Sequence, residues 1–403
     1  MRWLVAGGNL TNPQGPQERQ YKGEKVMKKL MVAVLAVMAL VVFAGAALAA
    51  ESPSSRVVIN GRMLTDFGWW NKSKEMTANQ KDDVTTSFVN VPGHSFLRAR
   101  WRTSDAMTGG MVELGLKSLQ PDASVSLRYA YGWYRYGRCR ILAGQTDNWF
   151  GSLQYHPKQY VGLNNNSHLL LFGWGFLWPH RVPQVQLTIN TDTWGVQFAV
   201  EEPRNKFAHS GHDVYFVVPR MSLTGMFKAG GFQTHPGVSY VRHSYEGISG
   251  DADDQFDTIA FVLPVKFTAG AFTVKFQAHY GKNFYGEYPF YPELSQPTHS
   301  LNSLKIQDTF TTGGFLSLEY QIGAVTLVGG VGYEKFENDS WKRNGWKDDN
   351  ADRKAYFVAV PYQINKYFGI HPEFSYFDYG DNPETGKDAG NEWMLGMQFR
   401  FIF

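Results

Sequence analysis

Basic side chains recur in a regular pattern along several segments of this chain. Between residues 95 and 104, for example, Arg98, Arg100 and Arg102 alternate with apolar residues. Alternation at every second residue places side chains on one face of a β-strand, and a planar guanidinium binds a carboxylate or phosphate through two parallel hydrogen bonds. The sequence therefore predicts a surface suited to small anions. The basic residues predicted to face that surface are Arg62, Arg98, Arg100, Arg102, Arg128, Arg138, Arg140, Lys275 and Arg400.

An alternative role for these arginines is structural. Glu113, Asp66 and Glu201 are candidates for the same surface. A guanidinium that pairs with one of these carboxylates stabilises the fold and does not bind a solute. The sequence leaves both roles open.

Other groups that could do chemistry lack a supporting pattern. Three histidines in one segment are widely spaced, with no cysteine or carboxylate cluster among them, so we predict no metal site at His156, His168 and His180. The acidic segment 251–254 could bind Ca²⁺ through its carboxylates, but a solvated loop explains it more simply. We find no G-x-S-x-G motif, which marks the nucleophile of many hydrolases. We therefore predict no enzyme, no cofactor and no metal.

The composition narrows the class of protein. The chain has 403 residues, of which 15% are aromatic and 19% charged, with one cysteine and a mean hydropathy of −0.33. These values exclude a multi-span helical membrane protein, a disordered chain and an intramolecular disulfide framework. The formal charge is +3, but residues 1–49 contain six basic and two acidic residues, so the remainder carries −1. The charge therefore gives no reason to expect a nucleic-acid partner.

The N-terminal region reads as a targeting signal. Residues 30–50 form an apolar run, preceded by Lys28 and Lys29 and ended by Ala47-Leu48-Ala49, which is the pattern of a cleaved secretory signal. We assign the signal to residues 27–49, with an uncleaved anchor helix as the alternative. Residues 1–26 have no role before such a signal, and we interpret them as a leader from a mis-assigned start codon.

After residue 50 apolar residues recur with a period of two, which indicates β-strands. In segment 257–268 the apolar face opposes Lys266, and in the last segment it opposes Gln398 and Arg400. In segment 124–134 the alternation predicts that one apolar face carries Val125, Leu127, Tyr129, Tyr131 and Trp133. The pairs Gly313-Gly314 and Gly329-Gly330 suit bends or close contacts within strands.

Three features favour a membrane barrel over a soluble sandwich. Aromatic residues lie near strand ends on the apolar faces, the opposite faces are polar, and short turns such as Thr191-Asp192 alternate with long connections. This combination is typical of outer-membrane barrels. The long connections are predicted at 71–93, 147–180, 243–256, 282–308, 336–353 and 380–390.

The fold class predicted for residues 50–403 is all-β, a single transmembrane antiparallel barrel of about 16 strands, with 14 to 18 acceptable. The eighth, ninth and fifteenth strands alternate poorly, and Pro219 and Pro236 fall inside the eighth and ninth. The predicted strands are 56–70, 95–104, 110–118, 124–135, 138–146, 183–190, 193–202, 213–222, 231–242, 257–268, 271–281, 311–320, 324–335, 354–362, 370–379 and 391–403.

The segment from 96 to 150 also carries a family resemblance. It reads FLRARWRTSDAMTGGMVELGL and then SLRYAYGWYRYGRCRILAGQTDNWF, and with the alternating segments and the terminal Phe403 it resembles the trimeric Gram-negative porins, nearest to their DcaP-like branch. The resemblance implies that the third external loop folds into the barrel and narrows it. That loop corresponds to residues 147–180, with candidate constriction residues Asp147, Trp149, Tyr155, Lys158 and Tyr160.

One feature departs from the family pattern. Constriction loops of that family often carry acidic residues, whereas Asp147 is the only carboxylate residue between 147 and 180. The loop is instead rich in aromatic and apolar residues. An alternative is that this apolar part makes subunit contacts or lies on the barrel surface.

Together these observations predict an outer-membrane channel for passive diffusion of small hydrophilic solutes, with a preference for anionic over neutral ones. The expected partners are outer-membrane lipid, two further copies of the chain, and the barrel-assembly machinery, which would read the C-terminal Phe403. The alternatives are a structural or adhesive barrel and a lipase-like or protease-like barrel enzyme.

Overall fold

The computed structural model describes most of the chain beyond residue 54. The described residues are 55–76, 82–119, 122–161, 171–204, 214–245, 255–288, 291–295, 297–299 and 306–403. The predicted leader and signal segments, His168 and the acidic segment 251–254 lie outside them. No helix within the described residues is long and apolar enough to cross a membrane.

In the described part of the chain, sixteen antiparallel strands form one closed barrel, as the alternation predicts. Each strand pairs with its sequence neighbours, and the last strand pairs with the first from Arg62–Ile402 to Lys72–Glu392. The strands are β1 Ser55–Lys72, β2 Val84–Thr103, β3 Thr108–Leu119, β4 Asp122–Tyr136, β5 Cys139–Thr146, β6 Val182–Asn190, β7 Trp194–Glu201, β8 Val214–Ala229, β9 Phe232–Thr234 with Gly237–Tyr245, β10 Gln255–Ala269, β11 Phe272–Lys282, β12 Phe310–Ile322, β13 Val325–Glu337, β14 Asn350–Ala359 with Tyr362–Gln363, β15 Phe368–Asp378 and β16 Asn391–Ile402.

Short elements lie in the connections. The 3₁₀ helices are Lys74–Met76, Leu153–Tyr155 and Glu293–Ser295, and the α-helix α1 is Ser340–Arg343. Two small hairpins pair Thr298–His299 with Ile306–Gln307 and Asp381–Asn382 with Lys387–Asp388.

The two faces of the wall differ as the period of two predicts. In β7, Trp194, Val196, Phe198 and Val200 are exposed, whereas the alternate residues are buried, among them Gln197 and Glu201. A closed barrel satisfies every strand N–H and C=O within the wall, so the outer face can be apolar enough to meet lipid. The polar face is the inner one.

The connections alternate in length around the barrel. Those at one end, here called the turn end, are short, as at Gly137-Arg138 between β4 and β5. Most of those at the other end, here called the loop end, are long. The predicted long connection 71–93 is wrong in its extent, because β2 begins at Val84 and the connection spans only 73–83.

Both prolines predicted inside strands lie at irregularities. Pro236 separates the two parts of β9, and the register between β8 and β9 shifts near Pro219, between Tyr240–Met221 and Arg242–Val218. Proline has no N–H to donate, so bulges and breaks are where a sheet tolerates it.

A bulge at Arg128 reverses the faces of β4. Tyr129 lies opposite Glu113, but Leu127 lies opposite Leu114, so Arg128 has no partner in β3. One extra residue moves every later side chain to the other face. Val125 and Leu127 face outward as predicted.

The predicted outward positions of Tyr129, Tyr131 and Trp133 are therefore wrong. These rings lie on the inner face, where Trp133 is opposite the buried Leu142. Alternation alone could not show this, because the bulge leaves the residue types unchanged.

The outer face gives a test of the barrel in lipid. Leu263 is exposed near the middle of β10, so Leu263→Arg should lower the free energy of unfolding by about 2–4 kcal/mol, the cost of a charge at the bilayer midplane. Urea unfolding in lipid vesicles measures it. The matched control is Ile322→Arg at the turn end of β12, which should cost about 0–1 kcal/mol. Equal costs at the two positions would contradict the outer-face assignment.

Candidate functional site: the loop inside the barrel

The connection between β5 and β6, residues 147–181, is here called the inner loop; within it, 162–170 lie outside the described residues. Its first residues bind the inner wall next to β5. Asn148 Nδ2 donates to Glu201 Oε1 at 2.7 Å, and the Trp149 N–H donates to Gln197 Oε1 at 2.7 Å. Both acceptors belong to the inner face of β7, so the chain turns inward directly after β5.

The middle of the inner loop binds the far wall. The backbone N–H groups of Tyr160 and Val161 donate to one carboxylate oxygen, Glu373 Oε2 of β15, at 2.6 and 3.3 Å. Gln398 of β16 donates to the Tyr160 carbonyl and to Asp66 Oδ1. The described residues of the loop thus extend from β7 to β15 within the barrel.

The last part of the inner loop lies against β11 to β13. The Gly175 N–H donates to Glu334 Oε1 at 2.8 Å, and the Leu177 N–H donates to Gln277 Oε1 at 2.6 Å. A Cβ on Gly332 would overlap the carbonyl oxygen of Trp174, and one on Gly175 would overlap that of Gly314. Gly332 in the wall and Gly175 in the loop therefore allow the two backbones to approach closely.

The aromatic residues of the inner loop face the barrel interior. Phe176 packs edge-on against Phe315 of β12 at 5.5 Å between ring centroids, and Trp174 packs against Phe377 of β15 at 5.2 Å. These residues therefore do not fit the alternative in which the loop lies on the barrel surface or contacts another subunit. The buried apolar residues of the loop are Phe150, Tyr155, Val161, Leu171, Phe172, Trp174, Phe176, Leu177 and Trp178.

The two ends of the inner loop meet at an electrostatic cluster. Asp147 accepts a hydrogen bond from the Tyr129 hydroxyl and one from Trp178 Nε1 at 3.2 Å. The Arg181 guanidinium lies between the rings of Tyr129 and Trp178, at 5.0 and 5.1 Å, and its Nε is 3.9 Å from Asp147. Arg181 was not among the predicted basic residues; its position two residues before the predicted strand 183–190 was the available signal.

The predicted basic residues of β1, β2 and β4 converge on one ring. The guanidinium carbons of Arg98, Arg62 and Arg128 lie 4.3, 5.0 and 5.8 Å from the centre of the Phe96 ring. Glu113 pairs with both Arg98 and Arg128, the latter at 2.9 Å. Arg62 donates instead to the His94 carbonyl. Pairing with Glu113, the structural alternative, thus accounts for two of these guanidiniums and leaves an excess of positive charge.

The predicted basic residues nearer the turn end are less buried. Arg100 and Arg102 lie on the inner face of β2 and are exposed, and Arg140 and Arg400 occupy inner positions of β5 and β16. The prediction for Arg138 is wrong. It lies in the exposed turn Gly137-Arg138, since β5 begins at Cys139, the free and exposed cysteine.

The opposite wall adds lysines. Lys275 of β11 and Lys158 of the inner loop both bind Glu319 of β12, at 2.8 and 2.9 Å. Lys266 of β10 lies opposite Lys275. On its other side Lys266 lies opposite Gln233 of β9, which in turn lies opposite Lys228 of β8, so these residues form one row across four strands. Lys266 was expected on the polar face of its segment, but the row that it shares with Lys228 depends on the strand register.

Two of the three histidines that were considered as metal ligands, His156 and His180, lie within the described residues. Among the described residues no group of three or more His, Cys, Asp or Glu side chains could hold a metal ion. Burial, with a smaller contribution from the Lys275 ammonium, lowers the pKa of His156 to about 3, so this imidazole is neutral. It stacks on Phe172 at 4.5 Å, and its carbonyl accepts a hydrogen bond from Lys275.

Comparison with known proteins now decides the family. The family model described as "Gram-negative porin" matches residues 36–382. The chain belongs to the Gram-negative porins. It is an outer-membrane β-barrel, and the fold and the localisation predicted from the sequence are confirmed. No curated protein matches the sequence.

Solved porin structures share the fold. The outer membrane channel DcaP of Acinetobacter baumannii has a TM-score of 0.70 and 15% identity, covering 87% of this chain and 98% of that one. The anion-selective porin from Comamonas acidovorans has a TM-score of 0.58 and 11% identity, covering 87% and 100%. A loop-deletion mutant of OmpT, an outer membrane protein of Vibrio cholerae, has a TM-score of 0.57 and 12% identity, covering 87% and 100%.

The glycine contact gives a test of the inner loop's position. Gly332→Ala should displace the loop at Trp174, since the added methyl group overlaps backbone; an overpacked contact of this kind costs about 1–3 kcal/mol. We expect a changed single-channel conductance in planar bilayers. Gly329→Ala is the matched control, because its Cβ would meet only the Phe357 carbonyl oxygen at 3.8 Å. An unchanged conductance in Gly332→Ala would show that this contact does not set the channel's width.

Proposed function

We propose that this porin is a passive diffusion channel that prefers small anionic solutes over neutral ones and over cations, and that the inner loop is its constriction. The observation that carries the proposal is the charge of the inner wall. Each of two carboxylates, Glu113 and Glu319, is shared by two cations, while Arg100 and Arg140 form no ion pair among the described residues. A narrow passage lined by uncompensated cations favours anions.

The low dielectric of the wall strengthens this preference. Field lines from charges in a cleft with low-dielectric walls are focused into the water between them. The basic inner-face residues of β1 to β5 lie on one side of that water and those of β8 to β11 on the other. An anion in the channel is therefore attracted from both sides. The Comamonas acidovorans porin, which shares the fold, is itself described as anion-selective.

We further propose a homotrimer inserted in outer-membrane lipid, with the C-terminal strand recognised by the barrel-assembly machinery. An OmpT of Vibrio cholerae has been solved in a trimer form. Phe403 exchanges two backbone hydrogen bonds with Gly61 at 2.8 and 3.1 Å, so the terminal residue closes the seam between first and last strand. Gel migration with and without heating separates a trimer from a monomer.

A structural or adhesive barrel, or a lipase-like or protease-like enzyme, would not need a channel that solutes can cross. Liposome swelling in small sugars and carboxylates distinguishes these classes from a channel. Vesicles that hold the folded protein and stay impermeable would contradict the channel. The family and the inner basic rows favour the channel, and we propose no catalytic role.

The basic rows give a quantitative test. Replacing Arg100 and Arg140 together by glutamine removes two positive charges and leaves no carboxylate without a partner. The zero-current potential in a KCl gradient should move toward the equilibrium potential of K⁺, because the wall loses attraction for anions.

The matched control for this test is Arg343→Gln. It removes one charge from the exposed helix α1 at the loop end and should leave the potential unchanged. A wild-type channel that prefers K⁺ would contradict the proposal outright.

A further inference from the structure

We propose that the described part of the connection between β11 and β12, which spans residues 283–309, is a second restriction that packs against the inner loop and sets the channel conductance together with it. This segment is here called the second inner loop; its described residues are 283–288, 291–295, 297–299 and 306–309. The inference rests on the proposed channel function and adds an element that the constriction loop alone does not supply.

Several residues of the second inner loop are buried inside the barrel. Phe284 and Glu287 have no exposed surface, and Tyr288 and Tyr291 are 2% and 5% exposed. Their neighbours are inner-face side chains of several strands, among them Arg220 of β8 and Glu334 of β13. A connection that only extended beyond the barrel would not bury these groups.

Aromatic packing joins the two loops. Tyr288 lies 6.3 Å from Phe150 of the inner loop between ring centroids. Both belong to one buried cluster with Phe284, Leu177 and Tyr291. Aromatic pairs at such separations attract each other beyond the effect of the area that they bury, so each loop stabilises the position of the other.

An ionic cluster holds the second inner loop to the wall. Arg220 Nη1 lies 2.5 Å from Glu287 Oε1, and Arg220 Nη2 lies 2.6 Å from Glu201 Oε2. The other oxygen of Glu201 accepts the hydrogen bond from Asn148 of the inner loop, and the Arg204 N–H donates to Glu287 Oε2 at 3.1 Å. One buried guanidinium thus connects both loops.

A second shared acceptor lies on β13. Glu334 Oε1 accepts the Tyr291 hydroxyl at 2.9 Å and the Gly175 N–H at 2.8 Å. His279 of β11 lies 3.0 Å from the other oxygen and 2.9 Å from the same hydroxyl. The two loops therefore meet at the same carboxylate.

The ionic cluster makes this arrangement sensitive to protons. Burial raises the pKa of Glu287 to about 7, against the lowering effect of Arg220. The groups facing Glu287 are Arg220, Glu201, His243 at 3.7 Å, Arg204 and Tyr288. Burial is the main cause of the raised pKa, and the nearby Glu201 carboxylate adds to it, so the docked loop favours a proton on Glu287.

The sign of the pH effect follows from linkage. A glutamate released into water would return toward its ordinary pKa of 4.5, so the docked loop binds the proton more tightly than a released one. Lowering the pH through about 7 therefore favours the docked, more restricted state, and raising it favours release.

The experiment is single-channel conductance of the full-length protein in planar bilayers across this pH range. Wild type should show conductance that falls as the pH is lowered, with a midpoint near pH 7. Glu287→Gln, which keeps the shape but cannot ionise, should lose this titration and stay at the low-pH conductance. Tyr291→Phe removes the hydroxyl that binds Glu334 and should raise the conductance at every pH.

The matched control is Asp257→Asn, which removes a carboxylate from the part-exposed pair with Arg242 at 2.8 Å and should titrate like wild type. Heat-modifiable gel migration checks that each variant folds. Titration in Glu287→Gln with the wild-type midpoint, or no change in Tyr291→Phe, would overturn the second restriction. A wild type that forms no conducting channel would instead overturn the proposed function.

Discussion

The structure depends on how the backbone of a long loop is satisfied inside a barrel. A buried N–H without an acceptor costs about as much as a lost hydrogen bond, and the strands have already used their own groups to close the wall. The acceptors therefore come from wall side chains: Glu373 for Tyr160 and Val161, Glu334 for Gly175, and Gln277 for Leu177. Glu373 and Glu334 thus hold loop backbone in place, which is a different task from selecting ions.

This division explains why the inner loop is almost free of carboxylates. In this barrel the wall supplies the acceptors and the loop supplies N–H donors and aromatic rings. The rings then pack against the inner face, as Trp174 does against Phe377. The proposed anion preference is left to the arginines and lysines of the inner wall, whose charge Glu113 and Glu319 compensate only in part.

The sequence predicted the repeating part of this fold and not its exceptions. Sixteen strands could be found because a lipid-facing wall imposes one period on every strand. The bulge at Arg128 could not be found in this way, because it changes the register without changing the residue types. It moves the side chains of Tyr131 and Trp133 to the inner face. Arg138 was misplaced for a related reason, because a two-residue turn continues the alternation of its strands. Lys228 and Lys266 needed the cross-strand register, which no single segment contains.

The glycines at the contact between the inner loop and the wall show what the sequence predicts and what only the packing reveals. Gly314 lies in one of the pairs that suggested close contacts, but only the structure shows that the inner loop's backbone is what comes close. That approach brings Gly175 within reach of Glu334, whose same oxygen also binds Tyr291 of the second inner loop. A displacement of either loop therefore alters an acceptor that the other uses. The positions of the two loops are for this reason not independent, and the width of the passage is a property of the pair.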